Sequence, residues 1–129
     1  MKIYIAYKFK DQDLRELRKK LEEIDKILKE RGHKTFIFFR DVHRWENKEG
    51  NGPEKVIKKA LAELKKCDAI LVEATESGIG PAIEAGYAKG LGKKIIVIHK
   101  RGSRVSLLKG LADTVLEYDD LEELGELKI

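Results

Sequence analysis

The sequence predicts an α/β fold in which one parallel sheet lies between two layers of helices. Two observations carry this. Apolar runs of strand length recur along the 129 residues, and stretches with a helical period separate them. A third observation sets the kind of sheet: residues 68–73 are apolar through their whole middle rather than alternating, as a strand covered on both faces must be.

The first strand is residues 2–6, Lys-Ile-Tyr-Ile-Ala. Leu14, Leu17, Leu21, Ile24 and Leu28 then recur at intervals of three and four, one face of an amphipathic helix, with Gly32 placed to end it. Residues 35–39 read as the second strand and residues 40–53 as a polar loop holding Gly50, Gly52 and Pro53. Loops this long inside a compact domain are uncommon and often functional. Pro53 suits the first turn of a helix whose buried face is Val56, Ile57, Ala60, Leu61 and Leu64. The third strand, residues 68–73, leads through a loop at 74–80 to a helix from Pro81 to Leu91, closed by Gly92. Residues 94–98 are the fourth strand, 104–111 a short helix or turn, 114–118 the fifth strand, and a short helix ends the chain. This order describes a three-layer, flavodoxin/Rossmann-like domain over residues 1–129, with strand order 2-1-3-4-5 and helices on both faces.

Composition narrows the function classes. Charged residues make up 39%, with Lys and Glu dominant, a thermophile-like balance. The net charge of +4 is interspersed along helices rather than sorted to one side, which argues against a nucleic-acid polymer as partner and suits a small anionic substrate. The single cysteine, Cys67, excludes an intramolecular disulfide and reads as a buried, inert thiol. No apolar run approaches the ~20 residues of a membrane span, and Met1 leads directly into a strand, so a cytoplasmic protein without a leader is expected. The three histidines lack metal-ligand spacing, so neither metal nor cofactor is expected.

In sheets of this order ligands bind beyond the carboxyl ends of the strands, at the switch between strands one and three. Two loops meet there. One carries Tyr7, Lys8 and Lys10; the other carries Thr75, Glu76, Ser77, Gly78 and Gly80 and runs into a helix start, where backbone N–H groups favour anions. Glu84 lies near that helix start, where the dipole is expected to keep it ionised. Asp41, His43 and Trp45 sit in the long loop, where Trp45 is placed either to stack on a nucleobase or to anchor the loop.

Residues 68–88, DAILVEATESGIGPAIEAGYA, resemble the signature of the nucleoside 2-deoxyribosyltransferase superfamily, which includes 2′-deoxynucleoside 5′-phosphate N-hydrolases. Gly80, Glu84, Gly86, Tyr87 and Ala88 fall in register with its pattern, and Tyr4 matches the Tyr of the family's first strand. The resemblance implies an enzyme in which Glu84 attacks C1′ of a 2-deoxyribosyl group and Tyr4 orients it. It also implies a deoxynucleoside or deoxynucleoside monophosphate as partner, and a homo-oligomer, a dimer, with sites near the interface. Lys8 and Lys10 occupy the family's phosphate-binding positions after strand one, and Ser106 matches a later Ser. One departure is plain. The Asp that assists the departing base in the hydrolases corresponds here to Ala60, eight residues before Asp68, leaving Asp41, Glu63 or Glu73 as substitutes. Alternatives are a non-catalytic nucleotide-binding module, which the Ala60 departure motivates, and an NAD-cleaving domain like those of Toll/interleukin receptors, which share the sheet order.

Overall fold

The computed structural model describes residues 1–47, 52–76, 78–105 and 107–129. Five strands, β1 (Lys2–Ala6), β2 (Lys34–Ile37), β3 (Ala69–Glu73), β4 (Lys94–Lys100) and β5 (Thr114–Tyr118), form one sheet in the order β2-β1-β3-β4-β5. All four pairings are parallel, so the flavodoxin-like order expected from the sequence is the order found.

The period-two direction of strand side chains divides the core in two. Ile3 and Ile5, Ala69 and Leu71, and Ile96 and Ile98 join Leu17, Leu21, Ile24 and Leu28 of α1 (Leu14–Glu30) on one face. Tyr4 and Ala6, Ile70 and Val72, and Ile95 and Val97 pack on the other against Leu64, Ala85 and Ala88. Those last three belong to α3 (Gly52–Lys65) and α4 (Ile79–Gly90). At ~25 cal/mol per Å², this two-sided burial is the main term favouring the fold. The helix ends carry the expected devices. Asp13 accepts from the N–H groups of Arg15 and Glu16 at the start of α1, and Gly32 adopts φ +86° just past its end. A 3-10 turn at Leu108–Gly110 and a longer one at Leu121–Glu126 stand where short helices were expected. No helix among the described residues is long and apolar enough to cross a membrane.

The second strand stops at Ile37, two residues before the sequence predicts. Its last partner is Ile5, and past that point backbone groups find other acceptors. The Ile37 N–H donates to the Asp41 carboxylate at 2.9 Å, and the Phe39 N–H donates to the Tyr7 hydroxyl at 2.8 Å. The chain turns there into a single helical turn, α2 (Phe38–Asp41), so the polar loop begins later than expected. Gly50 of that loop lies outside the described residues.

Candidate functional site

β1 and β3 are neighbours whose following segments leave in different directions along the chain order, and a cavity of about 580 Å³ is lined by the segment after β1 and the start of α4. One side comes from the segment after β1 and the start of α4: Tyr7, Lys8, Lys10, Asp11, Gly78 and Gly80. A second set of lining residues comes from the segment after β2 and from α3: Phe38, His43, Val56, Ile57 and Ala60. Tyr4 and Glu84 also line it.

Tyr4 is 2% exposed, its ring stacked on Phe36 at 5.3 Å between centroids. Its hydroxyl donates to the Glu84 carboxylate. Tyr4 comes from β1, an interior strand, and Glu84 from α4, which packs on the same face of the sheet. Strand parity points Tyr4 toward α4, and helical spacing puts Glu84 one turn from the buried Ala88 and beside Ala85.

The charge state of Glu84 departs from the sequence expectation. α4 starts at Ile79 rather than Pro81, so Glu84 is its sixth residue and the first turn holds no acidic group. The dipole acts mainly within the first turn. Desolvation wins: burial pushes the Glu84 carboxyl up to about 7, and the Tyr4 hydrogen bond lowers it only in part. Burial, and then the adjoining carboxylate, hold the Tyr4 hydroxyl far above the usual phenol range, so it remains a donor. The Tyr7 hydroxyl is raised as well, by burial first, against the lowering effect of the Phe39 N–H.

The glycine loop is shaped by a close approach. A Cβ on Gly78 would lie 3.3 Å from the Cβ and Cγ of Lys8 and 3.2 Å from the Pro81 ring. Glycine at 78 therefore lets the β1 loop close against the start of α4. Gly78 caps α4 without any side-chain hydrogen bond, which leaves the helix start to its backbone donors.

Lys8, Lys10, Gly78 and Gly80 thus gather with Tyr4 and Glu84 around one cavity. Asp41 and Trp45 do not. Asp41 is committed to the Ile37 N–H and to the Arg40 guanidinium at 2.8 Å. Arg44 and Trp45 both take positive φ, 53° and 62°, and the Trp45 N–H donates to the Phe39 carbonyl at 2.7 Å. That turn sends the indole to the α1 side, edge-on to Phe39 at 5.1 Å and under the Arg18 guanidinium at 4.9 Å. Trp45 is a loop anchor, the second of the two roles its sequence allowed. Ser77 and Ser106 lie outside the described residues.

Phe38 and His43 also line the cavity, and neither placement was expected from the sequence. Phe38 read as strand, and nothing in the local pattern distinguishes the direction of His43. Its ring stands at 90° to Phe38 with centroids 5.0 Å apart. The three carboxylates considered as substitutes for the absent Asp are all engaged elsewhere. Asp41 is described above. Glu63 pairs with Lys59 at 2.9 Å and Lys66 at 3.4 Å, and the Lys59 hydrogen bond holds its carboxyl below the usual range. Glu73 is buried on the α1 face of the sheet, where it accepts from the Tyr118 hydroxyl and from the Thr75 N–H at 2.6 Å. Cys67 is buried at the end of α3, and burial raises its thiol, so it stays protonated. Among the described residues no three His, Cys, Asp or Glu side chains group as metal ligands.

Solved structures share this architecture. A CMP N-glycosidase of Clostridium botulinum superimposes with a TM-score of 0.68 at 20% identity, covering 98% of this chain and 95% of that one. A 2-deoxyribosyltransferase of Bacillus psychrosaccharolyticus gives 0.77 at 21% identity, covering 100% and 93%. A conserved protein of Enterococcus faecalis V583 gives 0.72 at 18% identity, covering 98% and 95%. At these identities the likeness speaks to the fold. No curated protein matches the sequence significantly. The family comparison goes further, since residues 3–120 match the nucleoside 2-deoxyribosyltransferase family. Nearly the whole chain is in that match, including both Tyr4 and Glu84: the protein belongs to the nucleoside 2-deoxyribosyltransferase family and is an enzyme of that glycosidic cleavage-or-transfer type.

Proposed function

We propose that the protein cleaves the N-glycosidic bond of a 2′-deoxynucleoside 5′-monophosphate or deoxynucleoside through a glycosyl ester on Glu84. The observation that carries this reading is the Tyr4–Glu84 hydrogen bond inside the cavity at the sheet's switch point. A Glu84 oxygen attacks C1′ through an oxocarbenium-like transition state, and the bond to the base breaks. Water then gives hydrolysis, or a second base gives transfer. Tyr4, kept neutral by burial, donates to Glu84 and fixes which oxygen faces the sugar.

The wall of Lys8, Lys10, Gly78 and Gly80 supports a 5′-phosphate there, through two point charges and the open backbone donors at the start of α4. That favours hydrolysis of a monophosphate over transfer. Ser77 and Ser106 are proposed as further phosphate contacts on the resemblance alone. The CMP N-glycosidase among the structural neighbours is an enzyme whose substrate is a nucleoside monophosphate, which accords with this assignment. Ile79, 80% exposed beside the cavity mouth, and the exposed Ile83 one turn on support a homodimer that covers this rim. A monomer in sedimentation at micromolar concentration would rule that out.

The test is release of free base from a panel of deoxynucleoside 5′-monophosphates, with Glu84→Ala as control. Release by the wild type and its loss in the variant are expected. Undiminished release from Glu84→Ala would overturn the mechanism.

A further inference from the structure

Tyr4 lies within β1 and Tyr7 just past its end, and both line the cavity. Tyr4 donates to the nucleophile, whereas Tyr7 serves a different element. Its hydroxyl accepts from the Phe39 N–H at 2.8 Å. Ile5 and Ile37 are the last pair between β1 and β2, so this N–H has left the sheet ladder and takes its acceptor from a side chain. A buried N–H without an acceptor is costly, so the bond holds its segment in place.

That segment carries two residues of the cavity. The peptide group between Phe38 and Phe39 is held at both ends. Its N–H goes to Tyr7, and its carbonyl accepts from the Val42 N–H at 3.0 Å and the His43 N–H at 3.2 Å. The Phe39 carbonyl accepts from the Trp45 N–H at 2.7 Å, and the Phe39 ring, 2% exposed, meets Phe9 and Trp45 edge-on. Phe38 and His43 line the cavity with their rings at 90°. We propose that Tyr7 is a positioning residue for the base of the substrate: its hydrogen bond to this peptide sets Phe38 and His43 against the base, while Tyr4 sets Glu84 against the sugar. The inference rests on the glycosidase reading above, in which Lys8 and Lys10 take the phosphate, and it assigns the segment after β2 to the base.

The peptide is planar, so its two ends move together. Without the Tyr7 hydroxyl, the Phe39 N–H turns to find water. The same rotation swings the Phe38 carbonyl away from the Val42 and His43 N–H groups, and both cavity residues shift. Burial raises the Tyr7 hydroxyl, so it stays a neutral acceptor over the range in which Glu84 ionises. Burial and the Tyr4 bond set the Glu84 carboxyl, so Tyr7 acts on the base without tuning the nucleophile.

The experiment measures binding by titration calorimetry in the Glu84→Gln protein, which holds substrate without turning it over. The probes are the four common deoxynucleoside 5′-monophosphates and 2-deoxyribose 5-phosphate, which has the sugar and phosphate but no base. Tyr7→Phe keeps the ring and removes the acceptor. It is expected to weaken the best-bound monophosphate about tenfold and 2-deoxyribose 5-phosphate by less than about twofold. Phe38→Leu should show the same pattern. If Tyr7 acts through Phe38, the double variant stays within about threefold of the weaker single one, against about 100-fold for independent losses. In the enzyme with Glu84 restored, Tyr7→Phe should leave the acid limb of kcat/KM at its wild-type midpoint, unlike Tyr4→Phe.

Equal weakening of both kinds of probe by Tyr7→Phe, or none, overturns the inference. Losses that multiply in the double variant overturn it too, and make Tyr7 a general support of the fold. So does a Glu84→Gln protein that binds no monophosphate more tightly than 2-deoxyribose 5-phosphate. Amide exchange at Phe39 keeps the test open should Tyr7→Phe fail to fold. With Tyr7 present, a bound monophosphate should slow that exchange about tenfold more than 2-deoxyribose 5-phosphate does, and equal protection would overturn the inference. The expected binding pattern without base release from the active chain overturns the glycosidase reading and leaves Tyr7 as a residue that positions a bound base.

Discussion

The Tyr4 hydroxyl meets the Glu84 carboxylate across eighty residues of chain, and this one hydrogen bond ties β1 to the helix that packs on its face of the sheet. It joins an unusually weak acid to a carboxyl raised by burial, and its consequences are measurable.

Removing the hydroxyl takes away the one interaction that lowers the Glu84 pKa. In Tyr4→Phe the ring still stacks on Phe36, so the fold should hold. Base release should drop by about 10–150-fold, in line with ~1.5–3 kcal/mol for a hydrogen bond to a charged group. The apparent pKa on the acid limb of kcat/KM should also move upward. A pH profile that keeps its midpoint would show that the bond does not tune the nucleophile.

Glu84 also links activity and stability to pH in opposite directions. Its folded pKa, about 7, lies above its ordinary value of 4.5, so between those values the folded state binds more proton than the unfolded one. Stability contributed by this group is full below the unfolded value and falls as pH rises through about 7. Base release, which needs the ionised form, should rise over the same range and level off above it. Glu84→Gln should therefore be inactive, yet more stable than wild type by about 1–2 kcal/mol at pH 8 and indistinguishable at pH 4. Thermal melts at the two pH values check this.

Lys8 and Lys10 are assigned to the phosphate. Lys8→Ala and Lys10→Ala should each raise KM for a deoxynucleoside monophosphate about tenfold, an effect of roughly 1.4 kcal/mol that shrinks at high salt. KM for the unphosphorylated nucleoside should change by less than about twofold. Gly78→Ala should act on the same substrates, because its Cβ would press on Lys8 and Pro81. Equal effects on both substrate types would place the lysines elsewhere in the reaction.

The Tyr118–Glu73 pair is a control on the opposite face of the sheet. Tyr118→Phe removes a donor from a buried carboxylate that keeps, among the described residues, the Thr75 N–H and Lys20, the latter at 3.6 Å. Denaturant unfolding should show a loss of about 1–3 kcal/mol. Base release per folded molecule should be unchanged. A selective loss of turnover would mean that this network reaches the cavity through the sheet.

Much of the site was legible before the fold was seen. The apolar runs of the strands and the three-four spacing in α1 are local properties, and their alternation along the chain pointed to the strand order and the switch point. The glycine loop and Glu84 lie in one continuous stretch, and Tyr4 in a short strand, so their placement at the cavity needed little beyond topology. The end of β2 was not legible, because Phe38 and Phe39 extend an aromatic run whose backbone is taken out of the sheet by Asp41 and the remote Tyr7.

By itself the sequence determined the strand and helix segments and the stretch that carries Glu84, since each depends on near neighbours in the chain, and their alternation pointed to the order of the sheet. The tertiary structure decided which face each loop side chain serves and how readily each carboxyl ionises. Two residues with positive φ turn Trp45 to the α1 side while His43 stays in the cavity wall. Burial beneath segments far along the chain raises the Glu84 carboxyl, a cost of desolvation that the helix dipole does not offset at its position. Direction and dielectric are set by long-range packing, and no local pattern encodes them.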